Sequence, residues 1–333
     1  MSINYLDTVT MYYPCRFDIR RLFTTHWIWD NKNKDISLHC FFIKTEYACI
    51  RFFPDMYGHR RLYMTFSLPK LYHHSNSNTY NITDYDDVAF MNIVEEELGK
   101  VMHISQFHTL LEDWQPSRID LFRMREVEPT DRLEYHYAYG RLIYRGVRAS
   151  SYKNTNYLPS SSGMHPGILL REYDKTVEEQ EKRSLLYGNL PENIEREHEL
   201  KMQQLDIPRH LYRYEFSLRR NAVIRFCKKY SSNVNMKTVM NEAFQKYTLN
   251  KLVISRGLHY NILSKHKYRQ IVPKIFHWKQ TQKNALKMAE GIRNKKAIPL
   301  KKNQQYTIQR KLNSHDISTA TTNFVTIKGL GLL

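Results

Sequence analysis

A period of two runs through the first two thirds of this chain. In HLYRYEFSLRR (210–220), Tyr212, Tyr214, Phe216 and Leu218 fall on one side of an extended backbone, and Arg213 and Glu215 on the other. YLDTVTMYY, SLHCFFI (37–43), YACIRFF (47–53), RLYMTFSL (61–68) and QPSRIDLFRM (115–124) read as strands too, and Ile168, Leu169 and Leu170 open another. Such runs cannot lay one apolar face down as helices, so they require a sheet.

Helical signals sit between and after them. Pro69 ends one strand, HHSNSNTYN (73–81) is a polar loop, and Thr83 is placed to cap a helix over 84–102 with Val88, Met91, Val94, Leu98 and Val101 on one face. Pro129 and Thr130 open a helix carrying Leu133, Tyr137 and Leu142. Residues 150–165 are turn-rich, and a charged helix runs to about Tyr187. Beyond Asn221 the pattern is helical, with Pro273 read as a helix start, and the last residues, from Asn313, read as a loose tail. The expected architecture is α+β: a mainly antiparallel sheet domain over 1–225, then a smaller, basic, mostly helical domain over 226–333.

Charge is distributed unevenly. Residues 226–312 hold 20 Lys and Arg against only Glu242 and Glu290, and the remainder of the chain is neutral, so the formal net charge of +18 lies in one segment. A field of that sign attracts polyanions, and nucleic acid is the expected partner. Lys265, Lys267, Arg269, Lys274, Lys279, Lys283 and Lys287 are the expected DNA contacts in this segment. No apolar run approaches the ~18 residues of a membrane span, so no membrane partner is expected. MSINYLDTV lacks the regions of a secretory signal. Cys15, Cys40, Cys49 and Cys227 form no CxxC pair, which fits a reducing cytoplasm and neither a zinc site nor a disulfide framework. With Gly only 11 of 333 residues and no Gly-rich phosphate loop, no small-molecule cofactor is expected.

Three stretches carry chemistry. In SRIDLF, Arg118 and Asp120 share a face. In LYRYEFSL, Arg213 and Glu215 do. In ILLREYDKTVEEQEK (168–182), Arg171, Tyr173 and Lys175 alternate along what reads as extended backbone. If these strands are neighbours, two carboxylates, several cations and one phenol converge. Charges on core strands need partners, so Arg–Asp and Arg–Glu pairs are one reading. The other is a hard divalent cation, Mg²⁺ or Mn²⁺, on Asp120 and Glu215, with Arg118 and Arg213 toward DNA.

The order SRID, then YxKxxE (Tyr173, Lys175, Glu178), then RxE (Arg213, Glu215) resembles the gene II/X replication initiators of filamentous bacteriophages. LDTVTMYYPC and FSLPKLYHHSNSNTYNITDYDDV resemble that family as well, and the likeness covers roughly residues 3–230. DLFRMRE after SRID is more charged than the family pattern, and the chain has no HxH metal motif, unlike the wider rolling-circle nucleases. The resemblance implies a replication-initiator nuclease fold and a nicking-joining activity at a replication origin, on double- and single-stranded DNA. Tyr173 would be the nucleophile, giving a 5′-phosphotyrosine and a free 3′-hydroxyl. Arg171 or Lys175 would help the phenolate form, and Asp120 and Glu215 would hold the metal. Glu178 would complete the metal shell or hold Lys175. It also implies a phage or plasmid replicon in a bacterial host's cytoplasm, with helicase and polymerase borrowed from that host.

Two other readings fit parts of the sequence. His210 and Arg213 read as the HxxR of a tyrosine recombinase, with Tyr230, Tyr247 and Tyr260 downstream, although those enzymes place HxxR on a helix. The basic segment alone also suits a non-enzymatic DNA-binding regulator, which would not need the neutral, carboxylate-bearing body.

Overall fold

The computed structural model describes residues 5–14, 27–30, 40–53, 61–73, 85–103, 108–127, 131–141, 143–144, 147–152, 155–160, 167–178, 211–231, 233–294, 296–323 and 326–327. Its strands are β1 (Leu6–Tyr13), β2 (Ile28–Asp30), β3 (Cys40–Lys44), β4 (Ala48–Phe53), β5 (Arg61–Ser67), β6 (Gln115–Glu126), β7 (Ile143–Tyr144), β8 (Val147–Arg148), β9 (Ser150–Tyr152), β10 (Thr155–Pro159), β11 (Ile168–Asp174), β12 (Leu211–Arg219), β13 (Asn261–Ser264) and β14 (Ile317–Thr322). Its helices are α1 (Leu68–His73), α2 (Asp87–Gly99), α3 (Arg132–Tyr139), α4 (Arg220–Tyr230), α5 (Met236–Met240), α6 (Glu242–Ser255), α7 (Lys265–Ile275), α8 (Lys279–Arg293) and α9 (Lys302–Asn313). The class is α+β, as the period-two runs require. Two compact units form: Met1–Phe122 with Ser217–Thr248, and Arg123–Phe216 with Leu249–Leu333. Each unit uses two stretches of chain, so residues beyond 225 contribute to both.

In the first unit the strands lie in the order β2-β3-β4-β5-β1-β6 and pair antiparallel. Register lines up the apolar residues in rows: Val9 opposite Phe66 opposite Ala48, and Met11 opposite Met64 opposite Ile50, all buried. Helix α2 covers this face, Phe90 meeting Phe66 edge-on at 5.4 Å between ring centroids. Its cap is Asp86, whose side chain accepts from the Val88 amide at 3.2 Å, so the helix begins three residues later than the reading from Thr83; Thr83 itself lies outside the described residues.

The β1–β6 ladder contains a bulge that matters later. Leu6 pairs with Leu121 and Thr8 with Asp120, leaving Asp7 as the extra residue on β1.

In the second unit the order is β12-β11-β10-β9, with β9–β10 and β10–β11 antiparallel. Helix α3 covers the aromatic face of β12, Tyr135 lying 5.9 Å from Tyr212 and Tyr139 5.0 Å from Tyr214. Residues from Leu211 to Leu218 are all buried, so both faces of β12 are covered and its polar residues must find partners.

Three local expectations change. Strand β11 ends at Asp174, whose side chain accepts from the Val177 amide at 3.1 Å; this cap turns residues 175–178 into helix, so Lys175 is not on extended backbone. The rest of the expected charged helix lies outside the described residues. Pro273 sits inside the last turns of α7, and the next helix begins at Lys279. A late proline removes one helical hydrogen bond, which the burial of Tyr268, Val272 and Ile275 offsets. Within the expected loose tail, residues 317–322 are β14, paired parallel to β13; its Ser and Thr residues hide the strand from an apolar-pattern reading. No helix among the described residues is long and apolar enough to cross a membrane.

Candidate active site

Along β11, Ile168, Leu170, Glu172 and Asp174 are buried while Leu169, Arg171 and Tyr173 are half-buried on the other face. Arg171 and Tyr173 therefore share a face, as the alternation predicts. The neighbouring strand β12 places Glu215 against both. Tyr173 donates its hydroxyl hydrogen to Glu215 Oε2 at 3.3 Å, and an Arg171 Nη2 donates to Glu215 Oε1. Arg213 Nε lies 3.5 Å from Glu215 Oε2. One buried carboxylate thus gathers a phenol and two guanidiniums, and the phenolic proton has an acceptor in place.

Arg213 is 1% exposed, so in this structure it supports Glu215 and presents no surface for DNA. Lys175 is buried too, its Nζ 2.7 Å from Glu178 Oε2; of the two roles expected for Glu178, this geometry is that of a Lys175 partner. Arg118 grips Asp120 with two hydrogen bonds, Nε to Oδ1 at 3.0 Å and Nη2 to Oδ2 at 2.6 Å, while remaining partly exposed itself.

Asp7 and Asp120, both in the first unit, each offer one carboxylate oxygen, and these atoms lie within 4.8 Å of one another. An all-oxygen, anionic donor set suits a hard divalent cation such as Mg²⁺ or Mn²⁺. Asp120 is one of the residues the sequence offers for such an ion; Asp7 is an addition that the sequence pattern does not supply. Regular alternation puts Asp7 with Val9 and Met11, which are core residues, and only the bulge at Asp7 breaks that parity.

The opposite face of β11 holds a second polar cluster. Asn156 Nδ2 donates to Glu172 Oε2 at 2.6 Å and to the His136 carbonyl at 2.8 Å, with His136 Nδ1 3.7 Å from Glu172. Burial pushes the Glu172 carboxyl up from its ordinary range, against the pull of His136 and Asn156. Burial likewise raises the Tyr139 and Tyr214 phenols.

Of the expected DNA contacts, Lys267, Arg269, Lys274, Lys279, Lys283 and Lys287 are exposed and Lys265 is half-buried. Lys279, Lys283 and Lys287 follow one another at four-residue spacing along one side of α8. Trp278, at the N-cap of that helix, is 79% exposed, a feature that a count of charges does not register.

Arg213 lies on a strand, where the recombinase reading needs a helix, and His210 lies outside the described residues. A different phenol, Tyr12, also sits among cations, accepting from Arg220 Nη2 at 2.7 Å, but it is 3% exposed and stacked on Tyr63.

No protein-family model and no curated protein sequence matches the chain. Among solved structures, a rolling circle replication initiator protein from Geobacillus stearothermophilus is similar at 10% identity and a TM-score of 0.32, over 68% of this chain and 78% of that one. A likeness at this level carries no weight for function.

Proposed function

We propose that the chain is a DNA nicking and joining enzyme that starts rolling-circle replication at an origin, with Tyr173 as nucleophile. The observation that supports this best is the hydrogen bond of 3.3 Å from the Tyr173 hydroxyl to Glu215, on a carboxylate also held by Arg171. The phenolic oxygen attacks phosphorus, a P–O bond to Tyr173 forms, and the bond to the 3′ oxygen breaks. The phenolic proton passes to Glu215 and is then available to the departing 3′ oxygen, so charge and atoms balance. Arg171 faces the incoming phosphate from the same strand face, and Arg213 holds Glu215 in place. Lys175 is a positioning residue, fixing through Glu178 the helical turn that follows Tyr173.

Asp120, with Asp7, would hold Mg²⁺ or Mn²⁺, while Glu215 takes the phenolic proton. Bound there, the ion would supply Lewis-acid stabilisation of charge on the phosphodiester. The phosphotyrosine link retains the energy of the broken bond, which allows rejoining after one round. The free 3′-hydroxyl would prime synthesis by the host's polymerase and helicase in the bacterial cytoplasm. The basic segment would hold the origin duplex.

The test is nicking of supercoiled DNA carrying the chain's own replicon origin, with and without Mg²⁺ or Mn²⁺. Metal-dependent conversion to open circles supports the proposal. Tight binding with no nicking under any divalent ion favours the non-enzymatic regulator.

A further inference from the structure

We propose that a cavity in the second unit binds a nucleotide, its phosphate on arginines and its base on Tyr306. The cavity measures about 710 Å³, a size suited to small organic ligands and far larger than a phosphate ion needs. Arg141, Arg256 and Arg310 line it, and among the described residues no Asp or Glu does. Three arginines lining one cavity favour an anion, and Arg matches phosphate geometry with paired donors.

The arginines are held in place by the protein. Arg256, 5% exposed, donates from Nη1 to the carbonyls of Leu158 and Pro159 at 3.4 and 3.3 Å. Arg141 donates from Nε to the Arg293 carbonyl at 2.9 Å, and its Nη1 is buried with no hydrogen-bond partner among the described residues. Glu134, whose charge Arg141 feels, accepts from the Asn323 amide at 2.8 Å and is not part of the lining.

Helix α9 supplies the recognition face. Tyr306, Gln309, Arg310 and Asn313 stand at helical spacing i, i+3, i+4 and i+7 and all line the cavity, while Ile308 and Leu312 anchor the helix in the core. Tyr306 is 67% exposed, an aromatic surface that a base can cover by stacking, and Gln309 offers both a donor and an acceptor to a base edge. Arg141 lies far in sequence from the basic segment, so net charge alone would not assemble this site. The proposal does not rest on Tyr173, which is not among the lining residues.

The ligand chemistry is a phosphorylated nucleoside, either free or as one nucleotide of a strand. Calorimetric titration of the full chain with inorganic phosphate, dAMP, dTMP and a short oligo-dT tests it. Mononucleotides are expected to bind more tightly than phosphate. Arg310→Gln should weaken phosphate and nucleotide alike by about tenfold, and Tyr306→Ala should weaken nucleotides by about tenfold or more while sparing phosphate. Both side chains are exposed, so the fold should survive, which unchanged melting checks. If Tyr306→Ala weakens oligo-dT as it weakens dTMP, the strand is the source; if only the mononucleotides suffer, the source is free nucleotide. No mononucleotide binding by the unaltered chain, or binding unaffected by both substitutions, overturns the proposal.

Discussion

Glu215 receives Tyr173 and Arg171 on its two oxygens, the phenol at 3.3 Å from Oε2 and the guanidinium on Oε1. Both partners come from alternate positions of β11, so one strand offers a phenol and a cation to one carboxylate. Removing the two ends of this contact should have unequal effects on stability. Tyr173→Phe deletes one long hydrogen bond and should cost no more than ~0.5–1.5 kcal/mol. Glu215→Gln leaves buried Arg213 facing a neutral amide in place of a carboxylate and should cost roughly 3–5 kcal/mol. Urea melts of the two variants measure the difference, and equal costs would contradict the placement of Arg213.

Metal dependence should follow the carboxylates. Asp7→Asn and Asp120→Asn should each reduce nicking by at least about a hundredfold, with origin binding retained. A Mg²⁺ titration followed by gel assay reads this out. Full nicking by either variant in EDTA-treated, metal-free buffer would remove the ion from the account.

The two acidic residues that alternation can reach, Asp120 and Glu215, are legible because charged residues opposite apolar ones on strands demand partners. Asp7 is not, since a bulge is set by the pairing of two strands and leaves no trace in the spacing of one. Arg171 and Tyr173 share their face as their spacing predicts. Lys175 does not join them, although the reason is present in the sequence: Asp174 is a helix-capping residue three positions before an amide it can accept from. Helical character beyond Asn221 is readable, whereas the convergence of Arg141 with α9 depends on tertiary folding alone.

Duplex binding should depend on the exposed cations of α8. Replacing Lys279, Lys283 and Lys287 together by Gln should lower affinity and flatten its salt dependence, by about 0.9 in log–log slope for each phosphate no longer neutralised. Fluorescence anisotropy across a salt series measures both. An unchanged slope would place the duplex elsewhere on the protein.

Stability should fall as pH rises past the ordinary carboxyl range, because Glu172 has a raised pKa in the folded chain. Protonated in both states at low pH, it adds no penalty there; as pH climbs above about 4.5, the unfolded chain ionises first and folding loses ground until the folded carboxyl also ionises. His136, Asn156 and Asp174 bear on the group in the fold, the first two favouring its charge and Asp174 opposing it. Glu172→Gln should flatten this part of the profile, as seen by chemical denaturation at a series of pH values. An identical pH profile in the variant would contradict the assignment.

The most direct measurement is the identity of the residue joined to DNA. The full chain is reacted with a labelled origin oligonucleotide and Mg²⁺, digested with protease, and the nucleotide-bearing peptide sequenced by mass spectrometry. The account predicts a peptide containing EYDK with a 5′ phosphate on Tyr173, and no adduct from Tyr173→Phe. An adduct on Tyr12, Tyr230, Tyr247 or Tyr260, or a phosphate joined through its 3′ side, would contradict it.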